Sequence, residues 1–126
     1  MDTIQGNRLI AEFMGAKMIV TDYHGINIIE FPNKSTKDLH GLQYNNSYDW
    51  LMPVWFKCQK WYVREFGLLT STFELSSIGI IIKANSDKAF RWASSFSPDG
   101  NYDEMKLLWG AVVKFITWYN DYTKTI

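Results

Sequence analysis

The chain has 126 residues, 47% hydrophobic and 21% charged, a balance that excludes a disordered polymer and fits one domain with a continuous core. Thirteen basic residues offset thirteen acidic ones, so the basic excess expected of a nucleic-acid binder is missing. A single cysteine excludes an intramolecular disulfide framework, and no apolar run approaches the roughly 20 residues that span a bilayer.

Asp2 is placed to cap a first helix, with Gln5 three residues on in a capping-box arrangement. Leu9, Ile10, Phe13 and Met14 recur at helical spacing, and Gly15 suits the left-handed residue that ends a helix. The spacing predicts a helix over residues 3–14. Two short β-branched runs follow, Lys17 to Tyr23 and Ile26 to Phe31, joined by His24-Gly25 as a hairpin turn. The polar stretch from Asn33 to Asn46 has little periodicity and reads as a surface loop.

A second helix starts near Ser47 or Asp49, either of which is a capping residue, and Pro53 falls at or just beyond its first turn. From Leu51 to Phe66 this helix carries Trp55, Phe56, Trp61, Tyr62 and Phe66 on nearly every side. Lys57, Lys60 and Arg64 leave one narrow basic stripe for water, and Gly67 closes the helix. The pattern predicts burial on two fronts, or a face offered to a partner.

Three strands are expected next, in Leu68 to Leu75, Ile78 to Ala84 and Ala89 to Phe96. The middle run is nearly all apolar and reads as a central strand covered on both faces. The last alternates with a period of two, as a half-exposed edge strand does. Pro98-Asp99-Gly100 signals a turn, after which Asn101 caps a third helix with Glu104 at its third position. Leu108, Val112, Phe115, Ile116 and Tyr119 form its packed stripe. The order predicts an α+β domain, a largely antiparallel sheet of four to five strands layered with three helices.

Three segments carry a resemblance: residues 7–15 (NRLIAEFMG), residues 48–54 (YDWLMPV) and residues 111–120 (AVVKFITWYN). Together they resemble a group of short, mostly uncharacterised phage and prophage proteins of gut Bacteroidetes, similar to the phage ABA-sandwich domain. The resemblance covers the three helices in order and leaves the strands and the Asn33–Asn46 loop unmatched. Where that group has Ser directly before Trp-Asp-Trp, this chain has Ser47-Tyr48-Asp49-Trp50. It implies a sheet layered between helices in a phage accessory or host-interaction protein, and brings no catalytic residues.

The residues with chemical potential each have a structural reading beside a functional one. Asn7 lies near the apolar side of helix one, where a structural hydrogen bond outweighs a ligand contact. Asp49 is expected to cap helix two, with an acid or base beside Tyr48 and Trp50 as the lesser reading. Trp50 and Trp118 read as core or seam aromatics, and Asn120 as the close of helix three or a contact to the other motifs. Lys88-Ala89-Phe90-Arg91-Trp92 mixes cations with aromatics; an edge strand with Phe90 and Trp92 inward outweighs a stacking or gripping patch built on Arg91 and Trp92.

Cys58 with His24 or His40 is the one conceivable thiol–imidazole pair, and its helix face favours a buried, unreactive thiol. Metal-ligand spacing, nucleotide-binding glycine motifs and a carboxylate dyad are all missing, so no catalytic residue, metal or cofactor is expected. The expected protein is non-enzymatic, cytoplasmic in a bacterial host, and binds a host or phage protein or a second copy of itself, with nucleic acid unlikely and no membrane. A small-molecule or nucleotide pocket between helices and sheet, lined by some of Asn7, Tyr48, Asp49, Trp50 and Asn120, is the alternative.

Overall fold

A computed structural model describes residues 2–21, 27–96 and 103–124. Three helices are present: α1 (Thr3–Phe13), α2 (Tyr48–Phe66) and α3 (Glu104–Lys124). The strands are β1 (Lys17–Thr21), β2 (Asn27–Glu30), β3 (Thr36–Asp38), β4 (Ser71–Ser76), β5 (Gly79–Ala84) and β6 (Trp92–Ser95). The fold is α+β, as expected, but the strands divide into two three-stranded antiparallel sheets, β1-β2-β3 and β4-β5-β6, rather than one sheet of four to five.

The first sheet draws its third strand from the stretch expected to be a loop. Asn33 accepts hydrogen bonds at Oδ1 from the Ser35 backbone N–H and hydroxyl, and Lys34 takes a φ of 73°. That tight reversal returns the chain along β2 and makes β3, whose Thr36, Lys37 and Asp38 are all exposed. A 3-10 turn over Leu39–Gly41 then drops Leu39, Leu42 and Tyr44 into the core. The His24-Gly25 turn, like Tyr23 and Ile26, lies outside the described residues. Register shifts between Met18 and Val20 mark a bulge in β1.

α1 starts where Asp2 Oδ1 accepts from the Gln5 N–H at 2.8 Å. It ends in a Schellman motif, with Gly15 N–H donating to Glu12 O, Ala16 N–H to Ala11 O, and Gly15 at φ 96°. In α2, Ser47 is the N-cap but makes no side-chain capping bond. Asp49, expected to cap, instead stands exposed inside the first turn, where its charge meets the positive end of the helix dipole. Pro53 falls in the second turn on an exposed face, so the N–H it lacks is missed where water is at hand. For α3 the observed cap is Asp103, which accepts from Lys106 N–H at 3.1 Å. Asn101 and the Pro98-Asp99-Gly100 turn lie outside the described residues.

α2 is buried on two fronts. Leu51, Val54, Trp55, Cys58 and Tyr62 are shielded, and the helix packs on both α3 and β4. Trp55 and Tyr62 meet Phe73 of β4 at ring-centroid distances of 4.6 and 5.4 Å. Trp61 meets Phe115, Trp118, Tyr119 and Tyr122 of α3. Gln59 Nε2 donates to Phe73 O and the Tyr62 hydroxyl to Phe90 O, fixing the helix to the sheet backbone. On its wet side Lys57 Nζ donates to Phe13 O at 2.6 Å, answering the carbonyl end of α1.

α1 and α3 run in the same direction, since Asn7 meets Trp109 and Phe13 meets Tyr119. Gly6 permits the close approach: a Cβ there would stand 2.3 Å from Trp109 Cζ2. Alanine normally stabilises a helix relative to glycine by roughly 0.5–1 kcal/mol. Here Gly6→Ala is expected to reverse that sign and destabilise by about 1–3 kcal/mol through overpacking, read as a lower urea midpoint with unchanged slope.

Candidate functional site

The residues singled out in the sequence do not converge. Asn7 is buried at 3% exposure and fully engaged: Nδ2 donates to Leu42 O and Asn45 Oδ1, and Oδ1 accepts from Trp109 Nε1 at 2.9 Å. It therefore ties α1, the segment after the 3-10 turn, and α3 together, the structural role the sequence favoured. Asn120 lies about three helical turns along α3 from Trp109, the partner of Asn7, in a shallow cleft of about 350 Å³ with Leu9, Glu12, Phe13 and Tyr119. Trp50 is half-buried at the start of α2, edge-on to Tyr44 and Phe31, while Tyr48 and Asp49 beside it are exposed. The five residues, some of which the alternative reading placed around one helix–sheet pocket, thus occupy three separate places.

Cys58 is fully buried, and burial pushes its thiol far above the ordinary range, so it stays protonated and unreactive. His40 is exposed and is engaged with Asp38, whose side chain also accepts its backbone N–H; His24 lies outside the described residues.

Arg91 and Trp92 border the second sheet. Among the described residues, β4-β5-β6 is covered on one face only. Phe73, Ile80, Ile82 and Ala84 are buried on that inner face. The register places Glu74 beside Ile81, Ile81 beside Ala93, and Thr72 beside Lys83 on the other. β5 is central, as expected, but it is not covered twice: Ile81 is 41% exposed and Lys83 is exposed. β6 is the half-exposed edge strand expected, shorter than residues 89–96. Trp92 lies on its inner side, stacked on Phe90 at 6.4 Å, with a buried indole N–H that has no hydrogen-bond partner among the described residues. Arg91 donates to Ala84 O and Ser86 O, which holds the chain entering β6 against the end of β5.

Three depressions follow one another along the outer face. One of about 370 Å³ is lined by Thr70, Thr72, Lys83, Asn85 and Arg91 among others, without a carboxylate. The next, about 460 Å³, shares Lys83 and Arg91 and continues over Ile81 and Ala93. The third, about 140 Å³, runs from Ile81 and Ala93 to Ser95, Ser76 and Ile78. Leu69 at one end is 96% exposed and Ile78 at the other 75%, with Leu68 beside Leu69 at 76%. Sequence reasoning named Arg91 but missed Lys83, Ile81 and Ala93. The signal was the cation at position 83 inside an otherwise apolar run, which marks an uncovered face.

No protein-family model, curated protein or solved structure matches the chain. No helix among the described residues is long and apolar enough to cross a membrane.

Asn7→Ala removes one partner from each of three bonds and is expected to destabilise by about 1–3 kcal/mol, measured by urea unfolding. A pH effect follows from Tyr62, whose phenol burial raises from 10.0 to about 12, with Arg91 opposing. Below the ordinary value both folded and unfolded states hold the proton. As pH rises from 10.0 toward about 12 the unfolded chain ionises first, so stability falls through this window. Tyr62→Phe is expected to flatten that alkaline fall relative to the parent while lowering stability at neutral pH through the lost Phe90 bond, both read from denaturation midpoints.

Proposed function

We propose that the protein is a non-enzymatic phage or prophage accessory protein that works by binding another protein in the cytoplasm of a bacterial host, one concrete form being inhibition of a host defence system. The observation that carries the binding part is the uncovered outer face of β4-β5-β6, bounded by Leu69 and Ile78. Single exposed apolar residues are ordinary, but here Leu69, Ile78 and Ile81 line successive depressions along one continuous face. The phage setting comes from the three helical segments and their likeness to the ABA-sandwich group of Bacteroidetes proteins. Within that reading the buried Asn7 network and the α2–α3 aromatic seam hold the frame rigid, and the sheet presents the surface.

The test is co-purification from a Bacteroidetes host, identification of the retained protein, and reconstitution from two purified components. Binding in the purified pair is expected to weaken at least tenfold when Leu69 and Ile78 are both changed to Ser, with the melting temperature unchanged. A protein that retains no specific partner and runs as a clean monomer by light scattering contradicts the proposal.

A further inference from the structure

We infer that the outer face of β4-β5-β6 seats an amphipathic α-helix supplied by a partner protein, with an acidic side chain of that helix held between Lys83 and Arg91. The inference rests on the protein-binding reading and adds the chemistry and shape of the partner.

The shape comes from dimensions. Three strands at about 4.8 Å spacing make a face about 10 Å across, which matches the about 10–12 Å diameter of one helix. Strands of six residues are about 20 Å long, the length of about 13 helical residues. A partner strand would instead add at the β6 edge through backbone bonds, leaving Lys83 and Ala93 on the open face untouched. The floor suits a helix: Thr72, Ala93 and Ser95 are small, and Ile81 is the apolar contact at its centre. The inner face of the same sheet already packs on a helix, α2, in this way.

Charge sets the direction. Lys83 and Arg91 border both of the larger depressions, and among the described residues neither is held in an ion pair. Arg91 is fixed by its bonds to Ala84 O and Ser86 O, so its guanidinium is a positioned charge rather than a free-swinging one. Among the described residues Glu74, beside Ile81 and diagonal to Lys83, is a carboxylate of this face, and it does not line the depression of Thr70 and Asn85. An acidic side chain is thus attracted at the Lys83–Arg91 end and repelled near Glu74, which orients the helix with its acid at the Leu69 end.

The probe is a synthetic amphipathic helical peptide of about 14 residues, with a Leu/Ala face and one terminal Glu, titrated into the full 15N-labelled chain. Amide shifts are expected at Thr72, Ile81, Lys83 and Ala93, and a twin peptide with Lys replacing Glu is expected to bind at least tenfold more weakly. Lys83→Glu is expected to reverse that preference, and Ala93→Arg to abolish binding of both, while each variant keeps the parental melting temperature. Shifts elsewhere, equal affinity for the twins, or the same shifts from inorganic phosphate alone overturn the inference. So does a dimer by light scattering that Ala93→Arg dissolves, because the occupant is then a second copy. A co-purified partner that binds Lys83→Glu and Ala93→Arg as tightly as the parent overturns this face and leaves the protein-binding reading intact. Selective binding of the acidic peptide with no partner in the host supports the site and removes the reading.

Discussion

Everything in this structure depends on one helix serving two neighbours. α2 must satisfy α3 through Trp61 and Phe66 and the β4-β5-β6 sheet through Trp55 and Tyr62, within nineteen residues. An ordinary amphipathic helix has a single stripe for such work. α2 meets the demand with rings, because one Trp or Tyr side chain reaches far enough to touch several elements and buries a large area at small entropic cost. The hydrogen bonds from Gln59 and Tyr62 to sheet carbonyls then convert a non-directional packing into a fixed angle. The solvent side of α2 carries Pro53, Phe56, Lys60, Arg64 and Glu65 beside Lys57, which is engaged at the end of α1.

The helices were legible because their signals are local. Asp2, Gly15 and Gly67 act within a turn of their own position, and the structure uses each as its chemistry suggests. Ser47 and Asp49 compete for one cap within a single turn, and the sequence gives no means of choosing between two good capping residues so close together. Asp103 loses to Asn101 in a sequence reading for the same reason. β3 was illegible because all three of its side chains are exposed, so no alternation of apolar and polar residues betrays it. Its existence is decided by the Asn33–Lys34 reversal and the backbone of β2, which are a turn conformation and a pairing partner rather than a pattern.

The candidate site was legible in the same uneven way. Polar residues in apolar surroundings attract suspicion, and Asn7 was rightly marked as special; its three bonds reach Leu42, Asn45 and Trp109, the last 102 positions away. A pocket lined by residues of the three helical segments was the alternative expectation, but Asn7, Asn120 and Trp50 belong to different junctions of the frame. The run from Ile78 to Ile82 misled most, because a continuous apolar strand usually means cover on both sides. Here Ile81 breaks the inference: within β5 it is the isoleucine that the fold leaves exposed.

That exposure is the more telling for lying within so aromatic a chain. The frame has enough large side chains to cover the centre of the inner face, and Ile80 and Ile82 on either side of Ile81 are only 0% and 1% exposed. A sheet packed so tightly on one side is a rigid platform, since its strands cannot shift without disturbing Trp55, Tyr62 and Phe73. Rigidity lowers the entropy lost when a partner docks, so even a modest contact area on the other side yields useful affinity. The half of the sheet that stabilises the fold and the half left exposed are therefore linked through the same three backbones, with β5 carrying buried isoleucines downward and Ile81 and Lys83 outward.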